Sequence, residues 1–258
     1  MDNKLEIYQF PCLSDNYGVL IHDPQTGDTA AIDAPEAGAV FQALKTKGWT
    51  LTHLLNTHHH GDHTDGNMAL KDEFNCTIVG PRGEAAKIPG IDVEVGEGDT
   101  YEFGGETIQV YDTPGHTLGH ISYYFPDNKI AFVGDTIFAL GCGRVFEGTL
   151  PMMWDSIKKL MNALPRDTTM YCAHEYTQGN AAFALSVDPD NADLKTRCQE
   201  INAMRARGEP TVPSLFALEL KTNPFLRSEE PSLQKSLGLE GADPSDVFAE
   251  VRTRKDNF

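Results

Sequence analysis

No segment of this chain is apolar for long enough to span a bilayer, so a membrane-spanning helix is not expected. Cysteine is scarce. Cys12, Cys76, Cys142, Cys172 and Cys198 are odd in number and none has CxxC spacing. That argues against a disulfide framework and a sulfur-rich zinc site, and for buried or free thiols in a reducing compartment. Basic charge is scarce too: 21 Lys and Arg stand against 38 Asp and Glu, for a formal net charge of -17. Such a surface repels a phosphate backbone, so no nucleic-acid partner is expected. It also repels small anions, so an anionic substrate would need a local basic patch. Residues 1–10 lack a basic start and a continuous apolar stretch, so they do not read as a signal peptide. Cytoplasm is the expected location, with no membrane partner. Repeats and low-complexity tracts are missing as well.

What is present is an ordinary globular composition over 258 residues, enough for one large domain or one domain with an appendage. Strand patterns fall at 5–10, 17–22, 29–32, 52–56, 77–79, 107–111, 121–125, 130–133 and 169–172, punctuated by turn residues. Helical patterns fall at 36–47, stopped by Gly48, and at 152–163. Beyond His174 the character changes, with helical patterns at 181–187, 192–207, 214–221 and 245–255. The expected organisation is an α/β domain over 1–174 and a smaller helical domain over 175–258.

The densest chemical signal is Thr57-His58-His59-His60-Gly61-Asp62-His63. So many imidazoles and a carboxylate are costly to bury without partners. In an extended or turning segment, alternate positions face one side, which groups His58, His60 and Asp62 and leaves His63 to face a second centre. Imidazole nitrogen and carboxylate oxygen suit zinc, iron or manganese. Three more ligand-type residues share one context, each just past a strand: His116 in Thr113-Pro114-Gly115-His116, Asp135 after Gly134, and His174 after Ala173. Open sheets place ligands at such strand ends. Singly, each could be a packing residue or a helix cap; their recurrence beside the first cluster favours a metal site.

HxHxDH followed by TPGHT, GDT and a strand-end histidine resembles the metallo-β-lactamase superfamily. Cys142-Gly143-Arg144, Phe146-Glu147-Gly148, His174-Glu175-Tyr176-Thr177, Asn223-Pro224-Phe225 and the ending Arg252…Lys255-Asp256…Phe258 are similar to the glyoxalase II family, the hydroxyacylglutathione hydrolases. The resemblance spans the whole chain. It implies a four-layer αβ/βα sandwich with a C-terminal helical, glutathione-binding domain. It implies two divalent metal ions, zinc first with iron or manganese as alternatives. His58, His60 and His116 would hold the first, Asp62, His63 and His174 the second, and Asp135 would bridge both. His59 becomes a spectator held by hydrogen bonds, and His120 a supporting or packing residue. The implied reaction is hydrolysis of S-(2-hydroxyacyl)glutathione, typically S-D-lactoylglutathione, to glutathione and D-lactate, the second step of methylglyoxal detoxification. A hydroxide between the cations would be the nucleophile, with Asp62 and Asp135 as the catalytic carboxylates. Arg144, Tyr176, Arg252 and Lys255 match glutathione contacts, and a monomer fits the family.

The sequence departs from the family at three places. Arg144 stands where many relatives have lysine, Phe146 where some have tyrosine, and Gly61 where some carry a bulky residue. The first keeps the charge and changes the geometry; the second removes a hydroxyl. Competing readings are a single-iron glutathione persulfide dioxygenase, a zinc β-lactamase, and a metal-binding module without turnover. The Asp62-His63 and His174 set argues against the first, and the absence of a cysteine ligand argues against the second.

Overall fold

The computed structural model describes residues 5–258. The reading of 1–10 as something other than a signal peptide begins in 1–4, which lie outside the described residues. The chain divides into two compact units: residues up to Thr113 together with Thr117–Gly134, and Pro114–His116 together with Asp135–Phe258.

The first unit opens with β1 (Glu6–Cys12), β2 (Asn16–His22) and β3 (Thr29–Ile32). Then come α1 (Ala37–Lys47), β4 (His53–Leu55), the single turn α2 (Gly61–Thr64), α3 (Asn67–Phe74), β5 (Thr77–Pro81), a 3₁₀ turn at Arg82–Lys87, and β6 (Val93–Val95). The six strands form one mixed sheet in chain order. β1 to β3 pair antiparallel, whereas β3 to β6 run parallel. All four residues of β3 are buried, as expected of a parallel strand covered on both faces. α1 turns Val40, Ala43 and Leu44 inward at helical spacing. It stops where Gly48 takes φ 69°, its N–H closing on the Leu44 and Lys45 carbonyls. These side chains join Leu20, Ala31, Leu54, Leu70 and Ile78 in one core.

The remainder of this unit is an antiparallel meander of β7 (Thr100–Phe103), β8 (Glu106–Asp112), β9 (Ile121–Phe125) and β10 (Ile130–Phe132). Tyr123 on β9 is fully buried and donates its hydroxyl to the Asn56 carbonyl at 2.8 Å. The Ile121 N–H reaches the Thr57 carbonyl at 2.9 Å. The meander is thereby pinned to the carboxyl end of β4, where the histidine cluster begins.

The second unit contains the hairpin β11 (Ile137–Phe138) and β12 (Gly141–Cys142), the helix α4 (Leu150–Ala163), and β13 (Thr169–Tyr171), which pairs with β14 (Ser214–Leu215). Its remaining helices are α5 (Thr177–Val187), α6 (Ala192–Ala206), α7 (Phe216–Thr222), α8 (Pro231–Leu237) and α9 (Pro244–Asp256), with a 3₁₀ turn at Pro224–Leu226. Thr149 caps α4 and Asn191 caps α6 through their side-chain oxygens. Inside this unit Arg197 is buried against Glu219, Ser214 and Thr222. Glu219 also accepts from the Leu140 N–H at 3.0 Å, and Asn223 donates to the Phe138 and Gly141 carbonyls at 3.0 and 2.9 Å. The Asn223-Pro224-Phe225 motif therefore braces the hairpin that comes directly after Asp135.

The molecule is of the α/β class. The helical pattern at 214–221 resolves into a short strand and then a helix, and α5 begins four positions before 181. α3, α8, β6 and β7 carry too little periodicity to be read from sequence. Among the described residues no helix is long and apolar enough to cross a membrane.

Candidate metal centre

In the first unit the candidate ligands follow the carboxyl end of β4, beside the carboxyl end of its parallel neighbour β3. β4 runs out through Asn56 and Thr57 into His58, and β3 ends at Asp33, in the left-handed region at φ 56°. Asp33 is 4% exposed and organises the histidine segment. Its carboxylate accepts from the Thr57 N–H and the Thr57 hydroxyl, each at 2.8 Å, and meets His63 Nδ1 at 2.8 Å. Because Thr57 gives its hydroxyl hydrogen to Asp33, its oxygen accepts from His58 Nδ1 at 3.0 Å. Both imidazoles are held as Nδ1–H tautomers, with the Nε2 lone pair turned outward. His58 Nε2 then lies 3.2 Å from His60 Nδ1, and His63 Nε2 lies 3.6 Å from Asp62 Oδ2.

Asp62 is not in extended chain. Residues Gly61–Thr64 form a helical turn, which swings the carboxylate toward His63. The grouping of Asp62 with His58 and His60 from alternation alone is thus corrected. A Cβ at Gly61 would meet only the tip of the Asp65 side chain, at 2.9 Å, which can move aside, in line with the bulky residue some relatives carry there. His59 is held to one side: Glu84 Oε1 accepts from its N–H at 2.7 Å and lies 3.1 Å from its Nδ1. His120 packs its ring against His58, centroids 4.9 Å apart, with Nδ1 on the Thr113 hydroxyl at 2.8 Å.

The second unit brings its three candidates together around one atom. Asp135 Oδ2 is 3.3 Å from His116 Nε2 and 3.5 Å from His174 Nε2. His116 donates Nδ1–H to the Arg144 carbonyl at 2.7 Å, again leaving Nε2 as the ligand atom. Tyr176 stacks on the His174 ring at 4.7 Å, nearly parallel at 3°, and Phe138 closes edge-on against both. Tyr176 thus orients a candidate ligand while staying 41% exposed.

These donor sets fit a metal ion. With bonds of about 2.0–2.1 Å, the ligand atoms of a tetrahedral ion lie about 3.3–3.4 Å apart. The separations here, 3.2 to 3.6 Å, bracket that edge. His58, His60, Asp62, His63, His116, Asp135 and His174 each belong to a group of donors that could hold an ion. His/Asp clusters of this kind suit a divalent metal, and zinc, iron and manganese accept such donors alike.

The four substrate-contact candidates all lie in the second unit. Arg252 is only 5% exposed, its Nη1 on the Cys142 carbonyl at 2.9 Å and its Nη2 on Asp256 Oδ1 at 2.9 Å. The side chain of Arg144 is 55% exposed and reaches the same Asp256 oxygen at 3.3 Å. Lys255 sits over the Phe183 and Phe258 rings at 5.1 and 5.4 Å. Burial, then the charge of Arg252, pushes its ammonium below the usual lysine range. Asp256 is therefore common to both guanidinium groups. Phe146 is 61% exposed, its ring 5.3 Å from that of His116 and 6.0 Å from the Arg144 guanidinium.

No cysteine here is poised as a nucleophile. All five are buried and none is in a disulfide. Burial pushes the Cys142 thiol up to about 11 and the Cys172 thiol up to about 12, so both are protonated at neutral pH.

Sequence reasoning missed Asn16, Asp33, Glu84 and Asp256. Asp33 had a usable signal, being a carboxylate immediately past a strand, the context that singled out Asp135. Asn16 and Glu84 act through contacts across the fold, which no local pattern announces, whereas Asp256 pairs with Arg252 four positions earlier on α9 and also reaches Arg144.

Comparison with known proteins agrees with this geometry. Residues 18–174 match the metallo-beta-lactamase superfamily, and residues 175–258 match the hydroxyacylglutathione hydrolase C-terminus. A hydroxyacylglutathione hydrolase of Mesorhizobium japonicum is 56% identical over 254 residues, covering 98% of this chain and 99% of that one. One from Brucella ovis is 56% identical over 258 residues, covering 100% of both. Among solved structures, ETHE1 from Myxococcus xanthus is similar with a TM-score of 0.66 and 26% identity, covering 97% of this chain and 98% of that one. The BLEG-1 B3 metallo-beta-lactamase, at 20% identity and a TM-score of 0.65, covers 86% of this chain and 99% of its own and shares the fold. With both segments matched and relatives aligned from end to end, the chain belongs to the metallo-β-lactamase superfamily and, within it, to the hydroxyacylglutathione hydrolase family.

Proposed function

We propose that this chain hydrolyses the thioester of S-(2-hydroxyacyl)glutathione, with S-D-lactoylglutathione as its main substrate, releasing glutathione and a 2-hydroxy acid. The observation that carries the reading is the set of seven His and Asp donors, spaced as metal ligands, in a chain that aligns over its full length with hydroxyacylglutathione hydrolases. In this proposal the family resemblance assigns His58, His60 and His116 to one divalent ion, Asp62, His63 and His174 to another, and Asp135 to both. When bound, the ions would activate water and polarise the thioester carbonyl.

The chain's own residues do the rest. Asp33, Thr57 and the Arg144 carbonyl keep three imidazoles in the tautomer that leaves Nε2 basic. The Asp62 side chain is 39% exposed, so its carboxylate can accept a proton from the attacking water and orient it. Arg144, Arg252 and Lys255 supply the local positive charge that a substrate bearing carboxylates needs on an acidic protein, and Asp256 ties Arg252 to Arg144. Tyr176 offers its exposed edge beside His174. Functionally, the division is a catalytic segment over 1–174 and a glutathione-binding segment over 175–258. The protein is read as a monomer acting in the cytoplasm.

The test is elemental analysis and a thioesterase assay on one purified sample. Turnover of lactoylglutathione with close to two equivalents of metal is expected. A single iron, with oxygen consumption on glutathione persulfide and no thioester hydrolysis, would replace this reading with the dioxygenase one. Full metal loading without turnover of either would leave a binding module.

A further inference from the structure

The hairpin turn between β1 and β2 delivers one buried side chain to the edge of the metal centre. Cys12 and Asn16 pair across the hairpin, and the tight turn between them requires φ 47° at Leu13. Asn16 is 4% exposed. Its Nδ2 donates to the Asp62 main-chain oxygen at 3.2 Å and to Asp62 Oδ2 at 3.1 Å. One amide nitrogen thus spans the backbone and the carboxylate of the same residue, which fixes the rotamer of that carboxylate.

Asp62 needs such a hold. Its side chain is 39% exposed, whereas that of its neighbour His63 is 1% exposed. The histidine is locked by packing and by Asp33, and the more exposed carboxylate on the short helical turn is gripped by the Asn16 amide. The oxygen that Asn16 grips is also the one 3.6 Å from His63 Nε2. Asn16 therefore sets the separation between two ligand atoms. An amide suits the task because it is neutral. A lysine or arginine there would pair with the carboxylate and oppose a cation, and an aspartate would repel it.

We propose that Asn16 is a positioning residue that holds the Asp62 carboxylate in its metal-binding orientation. The proposal rests on reading Asp62 as a metal ligand. It concerns a side chain that touches neither substrate nor the reacting atoms, and it acts through Asp62.

The test uses full-length protein with Asn16→Ala, Asn16→Asp and, as a control on the same turn, Ser14→Ala. Ser14 is exposed and its hydroxyl bonds to its neighbour Asp15 at 3.0 Å. None of the three changes removes a backbone donor or acceptor of the hairpin. Zinc affinity of the metal-stripped proteins would be measured by competition with a chelator, alongside their unfolding temperature and kcat and KM on lactoylglutathione. Zinc binding weaker by about 10–100-fold is expected for Asn16→Ala, and a larger loss for Asn16→Asp. kcat should fall while KM stays within about twofold of the parent, and the metal-free unfolding temperature should stay near the parent value. Ser14→Ala should match the parent throughout. Zinc affinity unchanged in both Asn16 variants would overturn the proposal, as would a loss accounted for by an equal fall in metal-free stability. If the parent protein binds zinc but does not hydrolyse lactoylglutathione, the functional reading falls and the zinc titration still decides the role of Asn16.

Discussion

Asp33 offers the sharpest test, because two substitutions separate its structural contribution from its effect on the metal ligands. Its carboxylate is met by three donors at 2.8 Å: the Thr57 amide, the Thr57 hydroxyl and His63 Nδ1. Asp33→Ala removes the acceptor and leaves those donors buried. Each orphaned buried donor costs about 1–3 kcal/mol, and breaking a buried pair costs about 3–5 kcal/mol. A loss of about 4 kcal/mol is expected, a large part of the roughly 5–15 kcal/mol that holds a domain together. Asp33→Asn keeps the shape and the left-handed backbone, which asparagine tolerates. It turns one acceptor oxygen into an NH₂ group. His63 must then accept at Nδ1 and carry its proton on Nε2, where it can no longer bind a metal. The Asn variant should therefore lose about 10–100-fold in metal affinity while losing much less stability than the Ala variant. Chelator competition on metal-stripped protein reads the first quantity, and urea unfolding of the same protein reads the second. Parent-like metal affinity in Asp33→Asn would refute the tautomer argument.

Lys255→Ala should raise KM for lactoylglutathione with little change in kcat, because its ammonium sits over the Phe183 and Phe258 rings and serves binding in this reading; an unchanged KM would place the glutathione site elsewhere. Phe146→Tyr restores a hydroxyl beside His116 and Arg144, and one added hydrogen bond of about 0.5–1.5 kcal/mol should lower KM by about two- to twelvefold. Cys142 and Cys172 have thiols raised to about 11 and about 12 from 9.0. The unfolded chain ionises first, so their contribution to stability is whole below pH 9 and is lost as the pH climbs through 11 and 12. The Cys142→Ala, Cys172→Ala double variant should show a flatter fall of stability with alkaline pH, and an identical profile would assign that fall to other groups.

Much of the site was legible because its densest part is local. His58, His60, Asp62 and His63 are packed into one short segment past a strand, so neither their number nor their chemistry needed a fold to be noticed. His116, Asp135 and His174 were legible by context, each just beyond a strand. The way Asp62 sorts with its neighbours was not. Alternation groups it with His58 and His60, whereas the turn at Gly61–Thr64 pairs it with His63. That turn is helical because the Asp65 N–H closes on the Gly61 carbonyl at 2.7 Å and the His63 carbonyl accepts from the Ala34 N–H at 2.8 Å. The second of these contacts comes from another strand end.

The sequence by itself determined the ligand types, the strand ends that carry them, the acidic surface and the late basic cluster. These arise from residue chemistry and short-range periodicity, which are properties of neighbours along the chain. Only the tertiary structure decided which atom of each ligand faces its partners. Asp33 fixes His63, Thr57 fixes His58, Asn16 fixes Asp62, and the Arg144 carbonyl fixes His116. Two of those links, Asp33 to His63 and Asn16 to Asp62, are directional hydrogen bonds between residues 30 and 46 positions apart. Such bonds arise only once the strands have paired, so no pattern read along the chain could contain them.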